Sequence, residues 1–136
     1  MTDINEIANA VASDAALTAW YPTVTMNPAY DFASDLAHDF QCCVVPMGIE
    51  YRNMSRMQTE MTYRIEIGFM AQGIDTDVDS LINEVQNIGI GFLKKTFAGA
   101  VCTGIAHDPL HSPEAWETKA MFLSVLTLTL RKFRNG

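Results

Sequence analysis

Three groups of side chains have the types and spacing that chemistry would use. His107, Asp108 and His111 offer two imidazoles and a carboxylate, the donor set of a zinc or related metal site. Pro109 and Pro113 oppose the helix on which an H-x-x-x-H pair would share a face, so loop histidines beside a turn aspartate are the simpler expectation. Asp75-Thr76-Asp77-Val78-Asp79-Ser80 begins like a calcium loop, but Ser80 stands where the sharp turn needs Gly and Gln86 where the closing Glu belongs. Acids at that point are expected to face the positive end of a following helix instead. Cys42 and Cys43 are adjacent rather than spaced as C-x-x-C, and they read as small buried hydrophobes.

Other signatures fail on similar grounds. Gly89-Ile90-Gly91 falls inside a helical stripe with Lys94 at the third glycine position of a dinucleotide fingerprint, so it is expected to permit close packing or a kink. Neither G-x-S-x-G nor G-x-x-x-x-G-K-[ST] occurs. The inventory favours a protein that is not an enzyme and needs no cofactor or metal. The competing enzyme reading is a small metal-dependent one built on His107, Asp108 and His111.

The elements that must position these residues follow from periodicity. Asp3 and Glu6 stand in capping-box spacing, and Ile4, Ile7, Ala8 and Val11 recur on one face, which predicts a helix over 3–18. Phe32, Leu36 and Phe40 suggest a short helical turn. Residues 41–45 read as a strand that Pro46 and Gly48 end, bulge or place at an edge, with Cys42 and Cys43 on opposite faces. The cleanest alternation sets Met61, Tyr63, Ile65, Ile67 and Phe69 against Glu60, Thr62, Arg64 and Glu66, a half-buried antiparallel strand.

Val78, Leu81, Ile82, Val85, Ile88 and Phe92 form the stripe of a second helix, with Thr76 and Asp79 in capping-box spacing, Lys94 and Lys95 at its negative end, and Gly99 as a stop. Strands follow over 100–107 and 118–131, separated by a proline-bearing loop. The resulting expectation is an α+β fold in the order α-β-β-α-β-β, with a mostly antiparallel sheet of four to five strands and two main helices.

A chain of 136 residues with 49% hydrophobic side chains fits one domain, 1–136, with an adequate core. Sixteen acids against nine bases leave a net charge of −7, which disfavours free binding to nucleic acid. The acidity is uneven: residues 1–51 hold seven acids and no Lys or Arg, while 52–136 hold nine of each. The first residues lack a cationic signal region and no apolar run reaches the ~18 residues of a spanning helix, so an unexported, non-membrane chain with reduced thiols is expected.

Contact surfaces are the remaining candidates. The polar stretch 52–60 reads as an extended hairpin loop, with Arg52, Asn53, Arg56 and Gln58 as contact residues and Met54 and Met57 as adaptable apolar ones. In the last strand Phe122, Leu126, Leu128 and Leu130 share one face, yet Met121, Leu123 and Val125 load the other, so a second cover is required, from the N-terminal helix or a neighbouring subunit. Trp20, Tyr21 and Trp116 lie at element ends, where closing the core is the simpler role and anchoring a partner the other.

Several features in order resemble a known family. Gln41-Cys42-Cys43-Val44-Val45-Pro46-Met47-Gly48, then Arg56, Tyr63-Arg64-Ile65-Glu66-Ile67-Gly68, a helix over 77–97 and Leu126-Thr127-Leu128-Thr129-Leu130-Arg131 are similar to the tail terminator, or tail completion, proteins of long-tailed bacteriophages. The resemblance spans about residues 22–133 and rests on hydrophobic pattern. It implies a virion structural protein, assembled in the host cytoplasm and placed in the neck of the tail. There a homo-oligomeric, hexameric ring would cap the tail tube protein, stop its polymerisation and offer a surface for head-tail joining to the head-tail connector protein. DNA would pass through without specific binding, and acids from 31–50 near the lumen would keep it from sticking. The nearest alternative is another head-tail connector or tail-associated structural protein.

Overall fold

The computed structural model describes residues 2–26, 39–72 and 77–135. Helix α1 (Asp3–Ala12) presents Ile7, Ala8 and Val11 to the core and stops at Ser13. A new turn then starts because the Asp14 carboxylate accepts from the Ala16 amide, capping a 3-10 helix over Ala15–Trp20. The expected single helix over 3–18 is therefore two pieces. The tighter turn points Leu17 and Trp20 inward, where Trp20 stacks edge-on against Phe40 and Phe69.

Six strands form one sheet: β1 (Pro22–Val24), β2 (Phe40–Ser55), β3 (Gln58–Gln72), β4 (Thr96–Phe97), β5 (Ala100–His107) and β6 (Met121–Asn135), in the spatial order β1-β2-β3-β6-β5-β4. β1 runs parallel to β2 and every other pair is antiparallel, so the sheet is mixed. The α+β class stands, but the sheet has six strands where four to five were expected, and the order α-β-β-α-β-β gains two short strands, β1 and β4. β1 and β4 have three and two residues, too short to show a period.

Helix α2 (Val78–Phe92) starts at Asp77, whose carboxylate accepts from the Ser80 amide, and buries Leu81, Val85, Ile88, Gly89 and Phe92. Thr76, the expected cap, lies outside the described residues, as do Phe32 and Leu36 of the expected turn and the start of the calcium-like stretch. α2 ends at Phe92, not near 97 or Gly99, because the chain must turn to lay Lys94 and Lys95 against Cys102 through backbone bonds of 2.8 and 2.9 Å. Gly99, at φ +85°, serves the β4–β5 turn instead.

A third helix, α3 (Pro113–Lys119), replaces the end of the expected proline loop. The Ser112 hydroxyl accepts from the Ala115 amide and Pro113 takes the first helical position, where its missing N–H costs nothing. Among the described residues no helix is long and apolar enough to cross a membrane.

The main core lies between one sheet face and the helices. It joins Cys42 and Val44 of β2, Tyr63, Ile65, Ile67 and Phe69 of β3, Leu126, Leu128 and Leu130 of β6, and the apolar stripes of α1 and α2. A smaller cluster of Cys43, Val45 and Met70, with Leu123 packed on it, occupies the opposite face. Cys42 and Cys43 thus do point to opposite sides, as their adjacency in a strand requires.

Candidate functional site: a basic three-stranded arm

The stretch expected to be a loop is a continuation of the sheet. β2 bulges between Pro46 and Gly48 and then runs on to Ser55, and β3 starts at Gln58, so only Arg56 and Met57 turn the chain. The polar side chains of 52–60 suggested a solvated loop, yet β6 pairs with β3 over its full length, from Gln58↔Asn135 to Gln72↔Met121. That second partner supplies the backbone bonds a lone polar hairpin would lack. At ~3.3 Å per residue the three long strands reach roughly 50 Å, and their far part, 48–64 with 129–135, forms an arm.

The pairing fixes which residues share a face. On one face lie the rows Ile49–Tyr63–Leu130, Tyr51–Met61–Lys132 and Asn53–Thr59–Arg134. On the other lie Gly48–Arg64–Thr129, Glu50–Thr62–Arg131, Arg52–Glu60–Phe133 and Ser55–Gln58–Asn135. Arg52, Asn53 and Arg56 are exposed and Gln58 is half-buried, so all four contact candidates sit at or near the tip. Tyr51 is 66% exposed and Met57 69%, which puts large apolar side chains among the charges. Glu60 is buried and pairs with Arg131 at 3.6 Å, with Arg52 directly across the strand.

Charge separates by arm and body. The arm holds Arg52, Arg56, Arg64, Arg131, Lys132 and Arg134 against Glu50 and Glu60, a net +4. Outside the arm the described residues hold eleven acids against three cations, a net −8; Asp31, Asp35 and Asp75, which lie outside the described residues, complete the −7 of the whole chain. The division of the sequence at residue 51 missed this because Arg131, Lys132 and Arg134 reach the arm only through the β3–β6 register. Of the acids at 31–50, Asp39 and Glu50 are exposed, Glu50 within the arm, while Asp31 and Asp35 lie outside the described residues. Along β2 the edge beyond Val44 carries no strand partner among the described residues, so 45–55 present open backbone groups.

The apolar residues at the start of β6 are placed differently. Met121 and Val125 are buried and Leu123 half-buried within the single chain, so this face does not wait for a neighbouring subunit. Helix α1 packs on the opposite face and is not the cover either. The segment after β5 runs along β6: the Asp108 and Ser112 amides donate to Val125 and Leu123, and the Val125 amide donates to Pro109. Trp20 closes the main core and donates its indole N–H to Glu84 at 3.2 Å, Trp116 is half-buried against that core, and Tyr21 is exposed.

The metal candidates do not converge. His107 Nε2 lies 2.7 Å from the Ser124 hydroxyl, which reaches back to the Pro109 carbonyl at 3.4 Å, while the buried His111 Nδ1 has no hydrogen-bond partner among the described residues. No group of three His, Cys, Asp or Glu side chains gathers among the described residues. Burial holds the His107 imidazole below its ordinary pKa. Ser124 itself is fully buried in β6, which withholds its hydroxyl from any substrate.

The thiols are equally withdrawn. Burial pushes Cys43 up to about 11, with Glu66 adding to the rise against backbone hydrogen bonding. Burial and then the neighbouring Cys43 raise Cys42, and burial raises Cys102. Thiolate, the nucleophilic form, is suppressed at all three. Set against known proteins, the sequence matches no family model and no curated protein.

Proposed function

We propose that this chain is a structural assembly subunit that forms a ring on the tail tube of a long-tailed phage, stops tube polymerisation and provides the surface for head-tail joining. The observation that carries the reading is the exposed arm, with a turn of two residues, a β2 edge without a strand partner among the described residues, and apolar side chains among cations of which Arg131 alone forms an ion pair among those residues. Such a surface is made to be covered by protein: backbone edges supply strand or side-chain contacts, and Tyr and Arg are the residues that dominate interface cores. The sequence resemblance supplies the class of partner, the tube and the connector. The acidic body suits a neck component past which DNA moves without being held, since like charges repel.

The role is one of binding surfaces, placed in the virion neck after assembly in the host cytoplasm. Assembly of tails in its absence tests it. Tubes of irregular, excessive length that fail to join heads are expected, and adding the purified chain should restore both length control and joining. Tubes of normal length that join heads normally would remove the proposal. Normal length with failed joining would move the chain to the connector.

A further inference from the structure

We infer that the arm of one copy docks on the exposed α2–β5 face of a second copy, so that copies join head to tail through an arm-to-body contact. The inference rests on the ring reading and names the surfaces that build it. Its basis is charge: the arm at +4 and the other described residues at −8 are complementary on the same molecule, so the occupant best matched to the arm is another copy of this chain. Arg52, Arg56, Arg64 and Arg134 enter none of the ion pairs among the described residues and are available for that match, while Lys132 donates to the Ala98 carbonyl.

The receiving face is specific. Helix α2 contains no Lys or Arg, and Asp79, Asn83, Gln86 and Ile90 follow one another along one exposed stripe. Beside it a groove of about 160 Å³ is lined by Gln86, Gly89, Ile90, Leu93, Ile105 and His107. Gly89 keeps the groove floor low by bringing the helix close to Leu126. Ile90 and Leu93 are exposed apolar side chains there, and Lys94 is the cation nearest that end. Met54 and Met57 at the arm's tip are unbranched, flexible side chains suited to filling such a groove, while Arg52 and Arg56 would meet Asp79, the one carboxylate of that stripe, on a helix that carries no cation. Arm and groove are different patches, so the contact is heterologous and repeats from copy to copy, the geometry from which rings close.

Reciprocal charge reversal tests the pairing. Sedimentation of the full chain at low salt would compare the wild type, an arm variant (Arg52→Glu with Arg56→Glu) and a body variant (Asp79→Lys with Asn83→Lys). All four positions are exposed, and circular dichroism checks that each variant folds. Each variant alone is expected to associate about tenfold or more weakly than wild type, and an equimolar mixture to recover, because every contact in an alternating assembly again joins opposite charges. Raising the salt should weaken wild-type association.

Association unchanged in either variant, or no recovery on mixing, would overturn the inference. So would an arm variant that self-associates normally but loses retention on duplex DNA, which would make nucleic acid the arm's partner. A wild type that stays monomeric at every concentration would overturn it as well. The ring reading is tested separately: it survives failure of this contact if the wild-type chain still occupies tube ends in electron micrographs, and falls with it if those ends remain bare.

Discussion

Individual residues divide into those the fold has sequestered and those it has left outside. His107 stands between the two, half-buried at the α2–β5 groove, and that partial burial has a consequence for pH. The unfolded imidazole takes up a proton near pH 6.5, whereas the folded one, held lower by burial, does so only in more acidic solution. Below pH 6.5 the unfolded state therefore binds more protons, and stability falls as the pH drops toward the folded pKa. The urea midpoint is expected to decline between pH 7 and pH 5 in the wild type and to decline less in His107→Gln; equal declines would remove this account. The contact that holds His107, Ser124 near the start of β6, could not be read from sequence because it depends on how the chain after β5 runs beside β6. The opposite orientations of Cys42 and Cys43 were legible, since alternation is a local property of any strand.

At the scale of elements, legibility followed length and amphipathicity. β3 and α2 carry uninterrupted one-face patterns and lie where the patterns place them. The arm was misread because its exposed strands carry the polar composition of a solvated loop, and their strand character comes from pairing with β6, far away in sequence. The charged end of β6 was cut short for the same reason. Helix α3 was missed although Ser112 and Pro113 are start signals, because seven residues hold too few turns to show a stripe. The two glycines of α2 differ in a testable way. An added methyl at Gly91 meets nothing within 4 Å, whereas at Gly89 it meets Leu126 at 3.5 Å. Gly91→Ala should stabilise the protein by about 0.5 kcal/mol by limiting the unfolded chain, and Gly89→Ala, whose methyl would make ordinary contact with Leu126, by at least as much. Chemical denaturation of both variants measures the difference, and destabilisation by Gly91→Ala would contradict the packing described.

The whole molecule is an acidic body with a basic arm, a polarity that composition alone conceals in a single net charge of −7. The body has the helices, most of the core and the buried thiols; the arm gives Met61, Tyr63 and Leu130 to that core at its base and carries exposed Tyr, Met and Arg side chains beyond it. On the reading proposed above, arm and body would serve as two unlike contact surfaces, from which copies could close a ring. Electron microscopy of tails assembled with the full chain would show this directly. The expected image is six copies closed in a ring on the head-proximal end of the tube, each arm lying on its neighbour. Tube ends that remain bare, or single copies bound with their arms in solvent, would contradict it.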